Sequence, residues 1–152
     1  PECKELDGIL GYYGEQLMLL AQSLGLNSCW VGGTYKVVNR AYNVDLGQKL
    51  AAVIALGYGT TQGVPHRSKA PQAVVPGYDG APEWFKRGVD AALLAPTALN
   101  QQKFSFSLDG EVGDVPVVRA STRRGAFAQM DLGIAQCHFE IGAGPALYRW
   151  AE

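Results

Sequence analysis

The stretch Leu94-Ala-Pro-Thr-Ala-Leu-Asn-Gln-Gln-Lys-Phe104 places three consecutive amide side chains between two apolar segments. Residues 83–94 before it have the spacing of a helix, and residues 104–108 after it alternate with a period of two, which predicts a strand. A turn needs at most one amide side chain to satisfy its own backbone, so three indicate spare donors and acceptors. We expect a planar ligand that is rich in hydrogen-bonding groups to contact this turn.

The same pattern of periodicity predicts the other elements. Residues 12–24 and about 132–141 read as helices, the first with Leu17, Leu20, Ala21 and Leu24 on its apolar face and a stop at Gly25. Residues 29–31 predict a short buried strand, and the apolar run at 50–58 predicts a strand that is buried on both faces and central to its sheet. Residues 104–108 and 115–119 predict a hairpin. Helices and strands therefore interleave, which indicates an α+β or three-layer arrangement.

Composition limits the class of protein. The 152 residues suit one domain, residues 1–152, that contains a long Pro/Gly loop at 59–81. A net charge of −1 offers no field for nucleic acid, and the longest apolar run is far shorter than the roughly 20 residues of a membrane helix. Three cysteines without a Cys-x-x-Cys pair indicate a reducing compartment, so we expect a cytoplasmic protein with no nucleic-acid or membrane partner.

Several local patterns allow more than one interpretation. Gly32-Gly33 either makes a turn or lets backbone N–H groups approach a flat ligand. The stretch His66-Arg-Ser-Lys69 is either a phosphate-binding loop or an ordinary solvated basic patch. Gly57-Tyr-Gly59 lacks the third glycine and the helix start of a dinucleotide fingerprint. His138 fits a hydrogen-bonded core or interface position, and Cys137 a small buried hydrophobe, better than a metal site. No metal is therefore expected, and no catalytic side chain is identified.

Three motifs stand together in this chain: Gly25-Leu-Asn-Ser-Cys-Trp-Val-Gly-Gly33, Val53-Ile-Ala-Leu-Gly-Tyr-Gly59, and Ala95-Pro-Thr-Ala-Leu-Asn-Gln-Gln102. Together they resemble the FMN-dependent nitroreductase family. The last motif is similar to the family's Ala-Pro-Ser, two variable residues, Asn, any residue, Gln. Its position after the Cys-Trp motif, with Asp131-Leu-Gly-Ile-Ala-Gln-Cys-His138 near the end, resembles a rearranged nitroreductase subgroup. The resemblance extends from about residue 11 to residue 141.

The resemblance implies an α+β nitroreductase-like fold, with a mixed, mainly antiparallel sheet flanked by helices. It also implies an FMN-dependent oxidoreductase that passes a hydride from NAD(P)H, through the flavin, to nitroaromatic or quinone-type small-molecule acceptors. In the family, the second contact segment is often supplied across a subunit interface, which implies a homodimer. The flavin contacts implied for this chain are Trp30, Val31, Gly32 and Gly33 along the ring, Arg67 and Lys69 at the phosphate, and Pro96, Thr97, Ala98, Asn100 and Gln102 in the second segment.

The chain also departs from the family pattern. Family members usually open with an Arg-Arg-x-Ser-x-Arg motif that holds the flavin phosphate, and nothing before Gly11 resembles it. Lys103 stands where proline is common, and Thr97 replaces serine. We therefore expect a fragment that lacks the N-terminal segment. The alternatives are a flavin-binding or structural module without turnover, and an enzyme that consumes the flavin itself.

Overall fold

A computed structural model of the chain describes residues 4–36, 38, 41–144 and 148–151. Over these residues the elements are three α-helices, five β-strands and three short 3₁₀ turns. The strands form two separate sheets whose pairings are antiparallel except for one. The chain divides into two compact units, Gln16–Gly63 and the combination of Pro1–Glu15 with Val64–Glu152. The predicted α+β class is confirmed, while the prediction of a single domain stays a prediction.

Helix α1, Lys4–Ser23, begins earlier than the periodicity predicts and ends where it predicts. Gly25 adopts a φ of 79°, and the Leu26 N–H donates to the Ala21 carbonyl over 2.9 Å, which closes the last turn. The predicted apolar face is buried only at Ala21, which is 4% exposed, whereas its leucines at positions 17, 20 and 24 are 59%, 54% and 67% exposed. The buried side is the one that carries Gly11, Glu15, Met18 and Ala21.

A close helix contact explains why the smaller face of α1 is buried. A Cβ atom at Gly11 would lie 2.1 Å from the Met130 carbonyl oxygen, so only glycine allows this approach. Hydrophobic periodicity measures how apolar a face is. It does not reveal where a backbone must come close to another backbone, and here that requirement selects the face.

The unit Gln16–Gly63 contains a two-stranded antiparallel sheet. Strand β1, Asn27–Val31, pairs with β2, Val53–Gly57, with Asn27 opposite Gly57 and Val31 opposite Val53. The Asn27 side chain accepts a bond of 2.8 Å from the Gly59 N–H and so fixes the exit from β2. The prediction that β2 is central and buried on both faces is wrong, because Leu56 is 56% exposed. The prediction of a buried β1 is also wrong, because Cys29 is exposed. An apolar run predicts a hydrophobic strand, but it does not show how many strands pair with it.

The larger unit contains a three-stranded sheet. Strands β3, Phe104–Val112, and β4, Val115–Thr122, form the predicted hairpin, which is longer than its apolar core suggested. A bulge between Leu108 and Glu111 and a turn at Gly113, with φ of 63°, shape its far end. Strand β5, Arg149–Trp150, runs parallel to β4. The order is therefore β3-β4-β5, mixed and mainly antiparallel.

Helices α2, Glu83–Ala92, and α3, Ala128–Ala143, pack against each other beside this sheet. The four residues that the sequence predicts to be buried around α2 are all at most 5% exposed: Phe85, Val89, Ala92 and Leu93. Phe139 of α3 lies between Phe85 of α2 and Phe106 of β3, with ring centroids at 5.4 Å and 4.7 Å. The core of this unit is thus an aromatic cluster between the two helices and the sheet.

The segment from residue 64 to residue 81 is anchored to this core. It contains two short 3₁₀ turns, Pro71–Ala73 and Tyr78–Gly80, and between them Val74 and Val75 are 1% and 2% exposed. The Phe106 N–H donates to the Val74 carbonyl over 3.0 Å, so the segment follows the edge of β3. This part of the long Pro/Gly loop wraps the body of the unit.

Candidate functional site

Residues 97–102, the amide turn, connect α2 to β3 in an unusual backbone conformation. After extended Thr97, a short 3₁₀ turn spans Ala98–Asn100, and three non-glycine residues have positive φ: Leu99 at 53°, Asn100 at 50° and Gln102 at 43°. Such conformations cost L-residues about 1–2 kcal/mol each and persist only where the surroundings enforce them. Leu99 contributes no packing in return, since it is 99% exposed.

The Gln102 side chain makes several of the hydrogen bonds that hold the turn in this conformation. Its side chain is 2% exposed, and its Nε2 donates to the Arg67 carbonyl over 2.9 Å and to Asn100 Oδ1 over 2.6 Å. Its Oε1 accepts a bond of 2.9 Å from the Lys69 N–H. Both amide hydrogens are therefore used inside the chain. The backbone N–H of Gln102 donates to Thr97 Oγ1 over 3.1 Å, which closes the turn.

Gln101 and Asp131 fasten the turn to the first part of α3. Gln101 Nε2 donates to the Asp131 carboxylate over 2.6 Å and to the Ala126 carbonyl over 2.8 Å. The other Asp131 oxygen accepts from the Ala98 N–H over 3.0 Å. Burial raises the pKa of Asp131, and these hydrogen bonds together with the Lys103 charge oppose the rise. A buried carboxylate at this position ties both ends of the 3₁₀ turn to one helix.

The predicted phosphate residues lie directly beside the amide turn. The Arg67 carbonyl accepts from Asn100 Nδ2 over 2.9 Å as well as from Gln102, while the Arg67 side chain is exposed. Lys69 Nζ donates to the Gln101 and Gln102 carbonyls over 2.9 Å and 2.7 Å, which leaves one of its three hydrogens. The pKa of Lys69 is lowered by burial and by the positive charges of Arg123 and Lys103. Two of the three Lys69 ammonium hydrogens therefore hold the turn in place.

The structure brings one group of predicted site residues together and leaves another in the other unit. Those beside one another are Arg67, Lys69, Pro96, Thr97, Ala98, Asn100 and Gln102, all in the larger unit. The other group belongs to the unit Gln16–Gly63: Trp30 and Val31 are the last two residues of β1, and Gly32 and Gly33 follow them. Gly33 is exposed, and a Cβ atom built there would meet no other atom within 4 Å, so its face of the backbone is open.

The expectation that the three amides have spare bonding capacity is largely wrong. Gln101 and Gln102 bond to groups that are distant in sequence, Asp131, Ala126 and Arg67, which a local reading of the turn could not supply. Only Asn100 is exposed, and its amide keeps one hydrogen for an outside partner.

The sequence analysis names Asp131 in the closing motif and Lys103 as a departure from the family pattern, but it assigns neither of them, nor Arg123, to the site. An acid in the first turn of a helix is an ordinary helix-start feature, so Asp131 gave no signal of its contacts with the amide turn. Lys103 and Arg123 lie opposite each other just outside the β3–β4 pairing, where the Arg123 N–H donates to the Lys103 carbonyl over 3.2 Å. The two predicted strands could not reveal this pair, because both continue beyond their predicted ends and the bulge between Leu108 and Glu111 shifts their register.

A second polar group lies between α1, α3 and β5 and is structural in its contacts. His138 Nε2 and Glu15 Oε1 are 2.9 Å apart, and the Glu15 side chain is 4% exposed. Glu140 accepts from the Tyr12 hydroxyl and, over 2.7 Å, from Trp150 Nε1. Cys137 is 2% exposed, and burial raises the pKa of its thiol to about 11. The buried position predicted for Cys137 is confirmed, and His138 is hydrogen-bonded and partly buried.

Comparison with known protein families identifies the chain. The family model described as "Putative TM nitroreductase" matches residues 1–143, which is nearly the whole chain. The chain belongs to this nitroreductase family. The amide turn, Arg67, Lys69 and the segment Trp30 to Gly33 all lie within the matched residues. The family resemblance predicted from the three motifs is confirmed.

A solved nitroreductase structure supports the fold. The chain is similar to the crystal structure of a "putative nitroreductase" from Thermotoga maritima, with a TM-score of 0.63 and 23% sequence identity over 90% of this chain. The match covers 54% of that protein, so this chain spans about half its length. A comparison with curated proteins finds no match. Within the described residues, no helix is both long and apolar enough to cross a membrane.

Proposed function

We propose that the chain functions as an FMN-dependent oxidoreductase that uses NAD(P)H to reduce nitroaromatic or quinone-type acceptors. The observation that carries the proposal is the amide turn, in which hydrogen bonds from buried side chains enforce three positive φ angles at non-glycine residues. Backbone strain of this kind is concentrated at functional sites. In this chain it coincides with the motif that resembles the flavin-contacting segment of the family.

The residues around the turn suit a flavin mononucleotide. FMN combines a flat ring edged with donors and acceptors and a phosphate that is anionic at neutral pH. Asn100 retains one amide hydrogen at the exposed surface, and Arg67, Lys103 and Arg123 add positive charge that no acid within ion-pair distance neutralises among the described residues. When bound, the flavin supplies the hydride chemistry, and the protein supplies binding, orientation and electrostatics.

Each group of residues then has a role in holding the flavin. We assign Asn100, Thr97, Ala98 and Pro96 to direct contact, and Gln102 to keeping the turn in shape, because its amide hydrogens are already used. The family resemblance assigns Trp30, Val31, Gly32 and Gly33 to the flavin ring, and the open space beside Gly33 supports that assignment. Arg67 and the remaining hydrogen of Lys69 are assigned to the phosphate.

The first experiment is the visible absorption spectrum of the purified chain, before and after incubation with FMN and desalting. We expect a flavin spectrum at a stoichiometry near one per chain. Asn100→Ala should retain less FMN than the wild type, whereas Asn43→Ala, an exposed asparagine in the other unit, should retain the same amount. A wild-type chain that emerges colourless after saturation with FMN would contradict the proposed cofactor.

The second experiment measures turnover. The FMN-loaded chain is mixed with NADH or NADPH, and nicotinamide oxidation is followed with and without a nitroaromatic or quinone acceptor. We expect acceptor-dependent oxidation with parallel lines in double-reciprocal plots, because the nicotinamide and the acceptor react with the flavin in turn. Oxidation that no acceptor of either kind accelerates would sink the proposal.

The second candidate is a flavin-binding or structural module without turnover. It is favoured by the internal hydrogen bonds of Gln101 and Gln102, which explain most of the polarity of the turn without any ligand. A chain that retains FMN but oxidises no nicotinamide would support this candidate against the first. A chain that turns over excludes it.

We further propose a cytoplasmic homodimer. Cys29 and Cys137 are both free thiols, one exposed and one buried, which fits a reducing compartment. The fully exposed Leu99 at the tip of the amide turn and the apolar residues along α1 offer surface for a second copy.

A further inference from the structure

Lys69, Lys103 and Arg123 form a cationic cluster at the open end of the β3–β4 hairpin. Lys103 and Arg123 are directly opposite, joined by the backbone bond from Arg123 to the Lys103 carbonyl. Opposed residues in an antiparallel pair point to the same face, with Cβ atoms about 5 Å apart. Lys69 reaches the same place from the segment before α2, and its pKa is lowered partly by the charges of the other two.

Three positive charges in this arrangement repel one another, and the chain does little to neutralise them. Like charges directly opposite each other on a sheet are destabilising. Among the described residues none of the three makes an ion pair with a carboxylate within 4 Å. The acid that interacts electrostatically with Lys103 is Asp131, but it is buried and its oxygens already accept from Ala98 and Gln101. The cluster therefore keeps a net positive charge.

Neutral donors adjoin the cluster on the same face. Ser105 and Ser121 form the next cross-strand pair, and their hydroxyl oxygens are 3.0 Å apart. Since only one of the two hydroxyl hydrogens can lie between them, the other is available to an acceptor. Lys103 Nζ uses one hydrogen on the Arg124 carbonyl, over 3.1 Å, and keeps two. Cations and hydroxyls that converge on one face suit a compact dianion with several acceptor oxygens.

We propose that Lys103 and Arg123, supported by Lys69 and the Ser105–Ser121 pair, form a binding site for a phosphomonoester dianion. The inference rests on the proposed function, in which two ligands carry such a group: FMN at its ribityl end and NADPH at its 2′ position. Neither Lys103 nor Arg123 belongs to the motif residues that the family resemblance assigns to the phosphate. The site thus adds an anchor outside those motifs.

The first test needs no flavin. The midpoint of thermal unfolding is measured in phosphate and in chloride at equal pH and ionic strength, for the wild type, for Lys103→Gln/Arg123→Gln, and for Arg87→Gln/Arg149→Gln. The last double variant removes two exposed positive charges on α2 and β5 and serves as the matched control. Because phosphate stabilises folded proteins in general, we expect it to raise all three midpoints, but those of the wild type and the control by more than that of the cluster variant. An equal rise in all three proteins would overturn the proposal.

The second test identifies the source of the phosphate. Dissociation constants are compared for FMN against riboflavin, and for NADP⁺ against NAD⁺. In one of the two pairs, loss of both cations should weaken binding of the compound that carries the phosphomonoester, FMN or NADP⁺, by about tenfold or more and leave riboflavin or NAD⁺ unchanged. The reason is that a hydrogen bond to a charged group contributes roughly 1.5–3 kcal/mol. An effect confined to FMN assigns the flavin phosphate, and one confined to NADP⁺ assigns the 2′-phosphate.

The two tests separate the fate of this inference from that of the proposed function. If phosphate stabilises the wild type through the cluster but the wild type binds neither flavin nor nicotinamide, the proposed function fails and the anion site stands. If the wild type binds both ligands and the cluster variant binds all four compounds with unchanged affinity, the proposed function stands and the anion site is refuted.

Discussion

At the scale of single residues, Leu99 is held in a conformation that opposes its own preference. Its φ of 53° places a branched side chain in the left-handed region, at a cost of about 1–2 kcal/mol. Because the side chain is 99% exposed, no packing energy offsets this cost. We predict that Leu99→Gly raises the free energy of unfolding by about 0.5–1 kcal/mol, after allowing for the greater entropy of glycine in the unfolded chain. Urea denaturation measures the change.

The control for Leu99 is Leu46→Gly, at another fully exposed leucine whose φ is not positive. This change should be neutral or destabilising, because no strain is relieved there. If Leu99→Gly is destabilising to the same extent as Leu46→Gly, the strain assigned to the amide turn does not exist. If Leu99→Gly is stabilising but lowers FMN affinity, the strained side chain serves the ligand.

Asp131 gives the chain a predictable response to pH. Burial raises its pKa above the usual 3.8, so the folded chain holds this proton more tightly than the unfolded chain does. The contribution of the group to stability is therefore greatest below pH 3.8 and is lost as the pH rises through the folded pKa. Relative to Asp131→Asn, which cannot ionise, we predict that the wild type loses stability as the pH rises across that interval.

The measurement is the difference in free energy of unfolding between wild type and Asp131→Asn at a series of pH values from acid to neutral. The substitution also changes the oxygen that accepts from Gln101, which shifts the free energy of unfolding by an amount that does not depend on pH. The diagnostic quantity is therefore the slope of the free-energy difference against pH. Asp114→Asn, at an exposed acid between β3 and β4, serves as the control. A difference that stays flat with pH would show that Asp131 titrates alike in both states.

At the scale of elements, the α1–α3 contact depends on missing side chains. A Cβ at Gly133 would lie 1.9 Å from the Gly8 carbonyl oxygen, whereas a Cβ at Gly8 would have its nearest neighbour at 3.7 Å. We predict that Gly133→Ala destabilises the chain by about 3 kcal/mol, because the helix backbones must separate. Gly8→Ala should instead stabilise it by up to about 1 kcal/mol through helix propensity. Equal effects of the two changes would refute the close contact.

The elements also show what sequence periodicity can and cannot predict. The α2 pattern correctly identified Phe85 and Val89 as core, because an amphipathic helix packed on one side buries its apolar face. The α1 pattern failed, because Leu17 and its neighbours form the more apolar face, while the contact needs Gly11. Where backbones touch, small residues decide the packing, and a hydrophobicity pattern does not register them.

At the scale of the whole molecule, the sequence motifs identified the family, but not the hydrogen bonds that join the predicted site residues to one another. The amide turn and the Arg67–Lys69 segment were both expected to meet a ligand, and hydrogen bonds such as Gln102 to Arg67 join them to each other instead. The partners are 35 residues apart in the chain. A local argument about unsatisfied amides cannot anticipate a partner that only the fold brings near.

The proposed homodimer is the prediction that concerns the molecule as a whole. In the first half of α1, Leu6, Leu10 and Tyr13 are 51%, 40% and 61% exposed and follow one another at helical spacing. Steps of four and three residues place them in one row along the helix, as in a helix pair that buries a seam. We predict a mass by light scattering near twice the 16.3 kDa of one chain.

Charged substitutions in this row test whether it forms the interface. Leu10→Lys/Tyr13→Lys should yield a monomer with an unchanged circular dichroism spectrum, because the side chains are exposed in the single chain and a buried lysine pair would repel its copy. Leu46→Lys, at an exposed leucine in the other unit, should leave the dimer intact. A dimer that survives the double change pairs through another surface, and the fully exposed Leu99 of the amide turn is then the next position to substitute, because an interface there would place the second copy beside the flavin.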